Sequence, residues 1–335
     1  MTTFLARRLG FLVFVIFGVS VITFTVSHII PANPAALVAG KSATPADIAR
    51  IRHQYNLDQP LLVQYVTYMT NLLHGDFGQS SYSRRAVLSD VIDYFPATIE
   101  LTFYALILCI ALGVPLGVYS GLRRGSWVDH LTRILSVAGT AMPLFWLGLL
   151  FQLLFYGRLG WFPESGRLDT FQSAPRHITG MYTVDSLITL NFQALGNSLK
   201  HVVMPALCLA FASLSLVTRV TRSSMVDVIT QDYIRTARAK GVPKTTVVMR
   251  HALRNALIPT TTLLGLQVGN LLSGAFLTET VFSWPGIGYY SVNTIQNYDY
   301  QAIMSITVIL SVVYTLVNLV VDILYTKLDP RLQLA

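Results

Sequence analysis

Six apolar runs, each long enough to cross a lipid bilayer as a helix, alternate with polar segments along the chain. The first covers residues 11–30, and at a rise of about 1.5 Å per residue it reaches about 30 Å, the thickness of the hydrocarbon layer. The other five are predicted at 96–119, 135–156, 201–217, 258–278 and 302–325. The pattern predicts an all-α membrane protein with six transmembrane helices.

The first run shares its basic start, Arg7 and Arg8, with signal peptides. A signal peptide, however, has an apolar core of only about 7–15 residues, which is shorter than this run. We therefore expect an uncleaved first span with its N-terminus inside.

The polar segment between the first two spans has its own helical patterns. One is opened by Thr44-Pro45 and the other covers residues 60–73, where Tyr65 and Tyr68 give it the amphipathic side typical of a membrane interface. We predict that 1–94 form the first span plus an external helical subdomain. Residues 95–335 are predicted to form the core transmembrane domain.

Charge indicates the class of protein and its orientation. Charged residues make up 12% of the chain, whereas a soluble domain carries about 25%. The formal net charge of +8 comes from basic residues in short gaps between apolar runs, so membrane topology explains it better than nucleic-acid binding. The positive-inside bias predicts that both termini and the loop 219–256 are cytoplasmic.

This cytoplasmic loop contains a short predicted helix. Asp232 is a suitable N-cap, Gly241 a suitable helix stop, and Pro243 follows directly. A solvated loop facing lipid headgroups is the ordinary interpretation of such a basic segment. The small residues Thr236, Ala237 and Ala239 instead favour close docking against another protein.

The fifth apolar run combines small and polar residues. Gly265, Gly269 and Gly274 permit close helix packing, and the first two form a Gly-x-x-x-Gly pattern. Gln267, Asn270 and Ser273 are polar within hydrocarbon and should face protein or a water-filled path. Two interpretations of these polar residues are kept: they lie in a seam between packed helices, or they line a translocation path.

Signs of catalysis or metal binding are missing from the sequence. It has no His-Glu-x-x-His motif, no paired cysteines and no complete nucleotide-binding loop, and Cys109 and Cys208 both lie in apolar runs. Glu100 is predicted in the first turns of the second span, where the helix dipole favours a carboxylate. Asp322 is interpreted as an interfacial anchor. We expect a chain that is not an enzyme.

Several motifs, in consistent order, resemble those of one transporter family. They are Gly75-Asp76-Phe77-Gly78, Arg219–Met225, Asp232–Gly241, His251–Pro259, Gly265–Gly269, Glu279–Gly286 and Asp329-Pro330-Arg331. The chain resembles the membrane-spanning permease subunit of bacterial ABC importers, the B-type subunit of the dipeptide, oligopeptide and nickel group. The resemblance covers nearly the whole chain.

The resemblance implies a type I importer transmembrane fold in the bacterial inner membrane. It also implies a second homologous permease subunit, an external solute-binding protein and two ATPase subunits that bind ATP and Mg. The loop around Gly241 is similar to the coupling helix that docks on such an ATPase, with these residues as its candidates: Asp232, Tyr233, Arg235, Thr236, Ala237, Arg238, Ala239, Lys240 and Gly241. Arg235 and Thr236 stand where the general importer consensus has Glu and Ala. The peptide branch of the family is similar in departing from the consensus at these positions. Short peptides are the expected cargo, with glutathione or nickel as alternatives.

Two other classes of protein fit part of the pattern. A secondary transporter or channel subunit would use Glu100 or Asp322 for proton coupling, but the inverted internal repeats common in that class are not found here. A non-transporting membrane scaffold is supported only by the lack of catalytic residues. The coupling-loop motifs favour the ATP-driven importer.

Overall fold

The computed structural model describes residues 2–29, 35, 43–54 and 57–328, and these residues are predominantly helical. The α-helices are Thr2–Ile29, Pro45–Gln54, Leu61–Leu73, Val87–Leu108, Val114–Leu122, Trp127–Ala141, Leu144–Phe151, Tyr182–Ile188, Phe192–Ile229, Asp232–Ala239, Lys244–Thr246, Leu253–Val281, Ile287–Gln296 and Tyr300–Leu328. Three π-helical segments, Cys109–Gly113, Gln152–Arg158 and Val247–Ala252, connect some of them. The described residues form no β-strand, and their β-type pairing is limited to an isolated bridge between Gln79 and Ala86. The all-α prediction is confirmed.

Four of the described helices are long and apolar enough to cross a membrane: Gly10–Ser27, Val87–Leu122, Phe192–Ile229 and Tyr300–Val321. A fifth span results if Trp127–Ala141 and Leu144–Arg158, which are bent by 115°, are counted together. The Leu253–Val281 helix has 29 residues but is not in this set, because its threonines and amides lower its hydropathy. Six spans therefore stay a prediction.

Prolines account for two differences from the predicted spans. The second span begins at Val87, so placing Pro96 at its first position is wrong. Pro96 is accommodated inside the helix because the burial of Val87 and Val91 offsets the one backbone hydrogen bond that proline removes. The third span is broken before Pro143, since a residue preceding proline favours extended backbone and Met142 adopts a ψ of 127°.

The chain divides into two compact units. One contains Met1–Phe95 with Ile287–Val320, and the other contains Pro96–Gly286 with Val321–Ala335. In the first unit the core consists of Val87, Val91, Ile287, Tyr290, Ala302 and Ile306. Asp299, fully buried in that unit, accepts hydrogen bonds from the Ser80 hydroxyl at 2.6 Å and the Tyr82 amide at 3.1 Å. These bonds fix the segment before Val87 to the start of the Tyr300–Leu328 helix.

The second unit is built around the 38-residue Phe192–Ile229 helix. Its core includes Ala97, Leu101, Ala105, Cys109, Val202, Ala206, Leu209, Ala210, Leu271, Ala275 and Trp284. Cys109 and Cys208 are both buried and are not joined in a disulfide.

Three glycines, spaced four residues apart, let one helix approach this long helix closely. A Cβ atom on each would lie against a facing side chain: Gly113 at 3.0 Å from Val217, Gly117 at 2.6 Å from Thr221 and Gly121 at 2.7 Å from Met225. Such distances exclude a methyl group unless the backbones separate. The sequence interpretation had assigned helix packing only to the fifth apolar run and missed this seam.

We expect Gly117→Ala to destabilise the protein by about 1–3 kcal/mol, because the added methyl group overlaps Thr221 and the Thr218 carbonyl oxygen. The matched control is Gly196→Ala in the Phe192–Ile229 helix, where a Cβ meets no atom within 4 Å. Thermal unfolding of the detergent-purified chain should separate the two variants. Equal melting temperatures for Gly117→Ala and the unaltered chain would contradict the packing assigned to this seam.

Candidate functional site

The short helix Asp232–Ala239 connects the two longest helices of the second unit. Gln231 is its N-cap, and the Gln231 carbonyl oxygen accepts hydrogen bonds from the amides of Ile234 and Arg235. Asp232 is therefore the first helical residue, and its prediction as the N-cap is wrong. Its carboxylate still lies in the first turn, where the helix dipole favours negative charge.

The predicted stop at Gly241 is confirmed. This glycine has a φ of +74°, a left-handed conformation that glycine adopts without steric cost. The Gly241 amide donates to the Arg238 carbonyl oxygen at 3.0 Å, and the Val242 amide donates to the Ala237 carbonyl oxygen at 3.2 Å. These bonds end the helix sharply.

The short helix has one buried side chain, that of Ile234. Ile234 is completely buried in a core with Met225, Val247, Ala252 and Ala256, while Ala237 is half-buried at its edge. The remaining predicted docking residues are exposed: Asp232, Tyr233, Arg235, Thr236, Arg238, Ala239, Lys240 and Gly241. The helix is thus held in place through one face and leaves the other open.

Hydrogen bonding ties the same helix to the next long helix. The Asn255 side-chain amide donates to the Tyr233 hydroxyl at 2.8 Å, and Asn255 belongs to Leu253–Val281. Met225, which shares the core with Ile234, belongs to Phe192–Ile229. A displacement of the short helix would therefore act on both long helices.

The open surface is strongly basic. Six exposed cations lie on the short helix or in the segment that follows it, namely Arg235, Arg238, Lys240, Lys244, Arg250 and Arg254. Asp232 contacts Arg235 only through an exposed pair at 3.5 Å. Such a surface suits a partner that offers complementary negative charge.

The polar residues of the fifth apolar run occupy two environments. Gln267 is buried, and its Oε1 accepts hydrogen bonds from the Ser213 hydroxyl at 3.0 Å and the Asn270 amide at 3.1 Å. Asn270 and Ser273 are exposed on one stripe of the helix, and Ser273 donates to the Asn270 carbonyl oxygen. Gly269 is buried, Gly265 is half-buried, and a Cβ on Gly274 would lie 3.3 Å from Leu209.

Glu100 lies in a buried ion pair. Its helix begins at Val87, so the prediction of a first-turn carboxylate is wrong. The Arg167 guanidinium donates to Glu100 Oε2 at 2.5 Å, and the Thr183 amide and hydroxyl donate to Oε1 at 2.7 and 2.6 Å. Arg167 also stacks on the Tyr182 ring at 3.7 Å. This pairing has no signal in the sequence, because Arg167 lies in a segment without a helical pattern.

Asp185 orders the loop that carries Thr183. It accepts hydrogen bonds from the amides of Ile178, Thr179 and Gly180. Burial raises the pKa of the Asp185 carboxyl, but the bonds from the Thr179 hydroxyl and these amides outweigh it and hold the pKa below the ordinary value. An ionised Asp185 therefore positions Thr183 against Glu100.

We expect Glu100→Gln to lower the stability of the protein by about 3–5 kcal/mol, because it leaves the Arg167 charge buried without a counter-charge. Glu164→Gln, at an exposed carboxylate, is the control and should have little effect. Thermal unfolding of the purified chain measures both. A Glu100→Gln variant as stable as the control would contradict a structural role for the ion pair.

Asp322 lies outside the residues whose side chains the structure describes. Among the described residues no group of three or more His, Cys, Asp or Glu could hold a metal ion.

The apolar helices define a multi-span membrane protein, and the short helix Asp232–Ala239 presents an exposed basic face between two of its long helices. A family model described as "Binding-protein-dependent transport system inner membrane component" matches residues 113–334. A second, described as "Binding-prot-dependent transport system membrane comp, N-term", matches residues 1–102. The chain belongs to the family of inner membrane components of binding-protein-dependent transport systems. The family assignment made from the motifs is confirmed.

Similar proteins align along almost their whole length. The chain is 49% identical to the "Probable D,D-dipeptide transport system permease protein DdpB" of Escherichia coli K12, over 98% of this chain and 96% of the relative. It is 41% identical to a dipeptide transport system permease protein of Alkalihalophilus pseudofirmus, over 99% and 100%. It is 38% identical to a glutathione transport system permease protein of Salmonella paratyphi A, over 99% of each.

Proposed function

We propose that this chain is one of two permease subunits of an ATP-driven importer of short peptides in the bacterial inner membrane. The observation that carries the proposal is the helix Asp232–Ala239, which is anchored by Ile234 and leaves its basic face open. Relatives named as dipeptide permeases support the substrate class. The chain forms half of the translocation path and does no chemistry itself.

The proposed assembly contains a second homologous permease subunit, two ATPase subunits and an external solute-binding protein. The family description names the binding protein. ATP and Mg bind to the ATPase subunits, whose closure displaces the 232–241 segment. Because this segment is tied to both long helices, the displacement moves them as rigid bodies and opens or closes the path.

The proposed topology has six spans with both termini in the cytoplasm. Residues 1–94 contribute the first span and an external subdomain, and 95–335 contribute the core domain with the cytoplasmic loop 219–256. The basic residues around the short helix support the cytoplasmic side for this loop. In this topology the Leu253–Val281 helix is the fifth span, although its sequence is more polar than the others.

The polar stripe on that helix is the proposed wall of the path. An exposed amide or hydroxyl is costly against lipid, so the exposure of Asn270 and Ser273 is best explained by a water-filled path. Gln267 holds Asn270 in position through its hydrogen bond. The glycines at 265, 269 and 274 are proposed as packing positions beside this stripe, and a Cβ on Gly274 would lie 3.3 Å from Leu209.

A second candidate cargo is glutathione, because a glutathione permease is similar over the full length of the chain. A secondary transporter is the weaker alternative. Glu100, one of the two acids that it would use, is held by Arg167 and Thr183 in a buried ion pair.

Affinity purification of the tagged chain from its native membrane, followed by mass spectrometry, tests the proposed assembly. We expect ATPase subunits, a second permease and a binding protein to be recovered together. Binding of dipeptides and of glutathione to the recovered binding protein then separates the two cargoes. Recovery of the chain alone, or as a homodimer without an ATPase, would overturn the importer assignment.

A further inference from the structure

Ten residues before the start of the short helix, an ion pair with a buried carboxylate joins two segments that are far apart in the sequence. Arg222 on Phe192–Ile229 donates from Nε to Asp129 Oδ1 and from Nη2 to Asp129 Oδ2 at 3.0 Å. The Asp129 side chain is 1% exposed and that of Arg222 22% exposed. Two parallel bonds of this kind fix the orientation of both groups as well as their distance.

Asp129 is held from two further directions. The Ser120 hydroxyl donates to its Oδ1 at 2.6 Å, and the Gly125 amide donates to its Oδ2 at 2.9 Å. Ser120 lies on Val114–Leu122, whereas Asp129 lies in the first turn of Trp127–Ala141. One carboxylate therefore joins three helices of the second unit.

Close packing surrounds the ion pair on the Phe192–Ile229 helix. Thr221 faces Gly117 and Met225 faces Gly121, both at distances that exclude a methyl group. Met225 continues into the core that contains Ile234. Met225 thus links the helix contacts next to the ion pair to the core that anchors the short helix.

We propose that the Asp129–Arg222 pair is a positioning clamp that makes the short helix Asp232–Ala239 and the three helices beneath it move as one body. Without the clamp the short helix would shift relative to its support, and its displacement would not reach the spans. The clamp gives the ion pair a role in energy coupling, and that role rests on the proposed function.

Hydrogen exchange of the full chain in lipid nanodiscs tests the clamp without any partner. Asp129→Asn keeps the shape of the side chain and removes its charge, and we expect amide exchange in residues 222–241 to become faster by about tenfold or more. Arg222→Lys keeps the charge but cannot form the two parallel bonds, so it should accelerate exchange in the same segment. Arg133→Gln is the control, because Arg133 is half-exposed and its guanidinium lies 3.9 Å from the Asp129 carboxylate. Its bond to Asp129 at 3.4 Å goes from Nε to the backbone carbonyl oxygen within the same helix.

The purified complex supplies a second readout, the number of ATP molecules hydrolysed per substrate transported. We expect this number to rise about fivefold or more in Arg222→Lys while the ATPase subunits stay bound, and to stay unchanged in Arg133→Gln. Unchanged amide exchange in residues 222–241 would overturn the clamp. So would a loss of transport that only follows the loss of assembled complex, with the number of ATP molecules per transported substrate unchanged. Faster exchange in a chain that recruits no ATPase would support the clamp and overturn the proposed function.

Discussion

We expect that reversing the charges of Arg235 and Arg238 together separates this subunit from the proposed ATPase subunits without unfolding it. Both side chains are exposed, and the only ion pair in which the structure places either of them is the exposed one with Asp232. Their replacement therefore costs little in the isolated chain. If the short helix docks on an acidic ATPase surface as proposed, two attractive contacts become repulsive. We expect a loss of about 3 kcal/mol or more, on the order of a hundredfold in affinity.

The measurement is co-purification of ATPase subunits with the tagged Arg235→Glu/Arg238→Glu variant. The matched control is Arg158→Glu/Arg176→Glu, which makes the same change of charge at exposed positions in another part of the second unit. The control should recover the ATPase subunits in full. Full recovery of the ATPase subunits with the Arg235→Glu/Arg238→Glu variant would contradict docking through the short helix.

Asn270→Trp should block transport while leaving assembly intact. Asn270 is exposed on the polar stripe of Leu253–Val281, so a large ring there projects from the helix instead of into the core. If that stripe lines the path, we expect substrate uptake to fall by about tenfold or more through obstruction and loss of polar lining. ATPase subunits should still co-purify.

Ile107→Trp is the control for this substitution. Ile107 is 40% exposed on Val87–Leu108, and its apolar side chain suits a lipid-facing position. Uptake by this variant should be close to that of the unaltered chain. Normal uptake by Asn270→Trp, or an equal loss in Ile107→Trp, would assign the polar stripe to a structural role.

Local patterns in the sequence predicted local structure well. The helices Pro45–Gln54 and Leu61–Leu73 lie where proline and periodicity predicted them, and Gly241 ends its helix as expected. These features depend on residues within a few positions of each other. The backbone preferences of proline and glycine indicate where a helix begins and where it ends, and they act on the residue itself and its near neighbours.

Long-range pairings could not be read in the same way. Arg167 and Glu100 are separated by 67 positions, and Arg222 and Asp129 by 93. Their partners are decided by packing, and a single sequence does not show which charge will meet which. The start of the second span was wrong for a related reason, since the burial of Val87 and Val91 outweighs the helix-ending tendency of Pro96.

The motif Glu279–Gly286 shows how a family pattern can have a packing origin. Phe282 and Trp284 are buried, and the Trp284 ring nitrogen donates to the Ala97 carbonyl oxygen at 2.8 Å. A Cβ on Gly286 would lie 2.2 Å from a Glu279 carboxylate oxygen, so any larger residue there would displace the buried Glu279 side chain. Phe282, Trp284 and Gly286 are thus part of the packed interior of the second unit.

Uptake of a labelled dipeptide into vesicles tests the proposed function most directly. The vesicles would contain the complex purified through this chain, with ATP inside and the recovered binding protein outside. We expect uptake that requires both ATP and the binding protein and that is lost with Arg235→Glu/Arg238→Glu. Uptake driven by a proton gradient in the absence of ATP would contradict an ATP-driven permease subunit and support a secondary transporter.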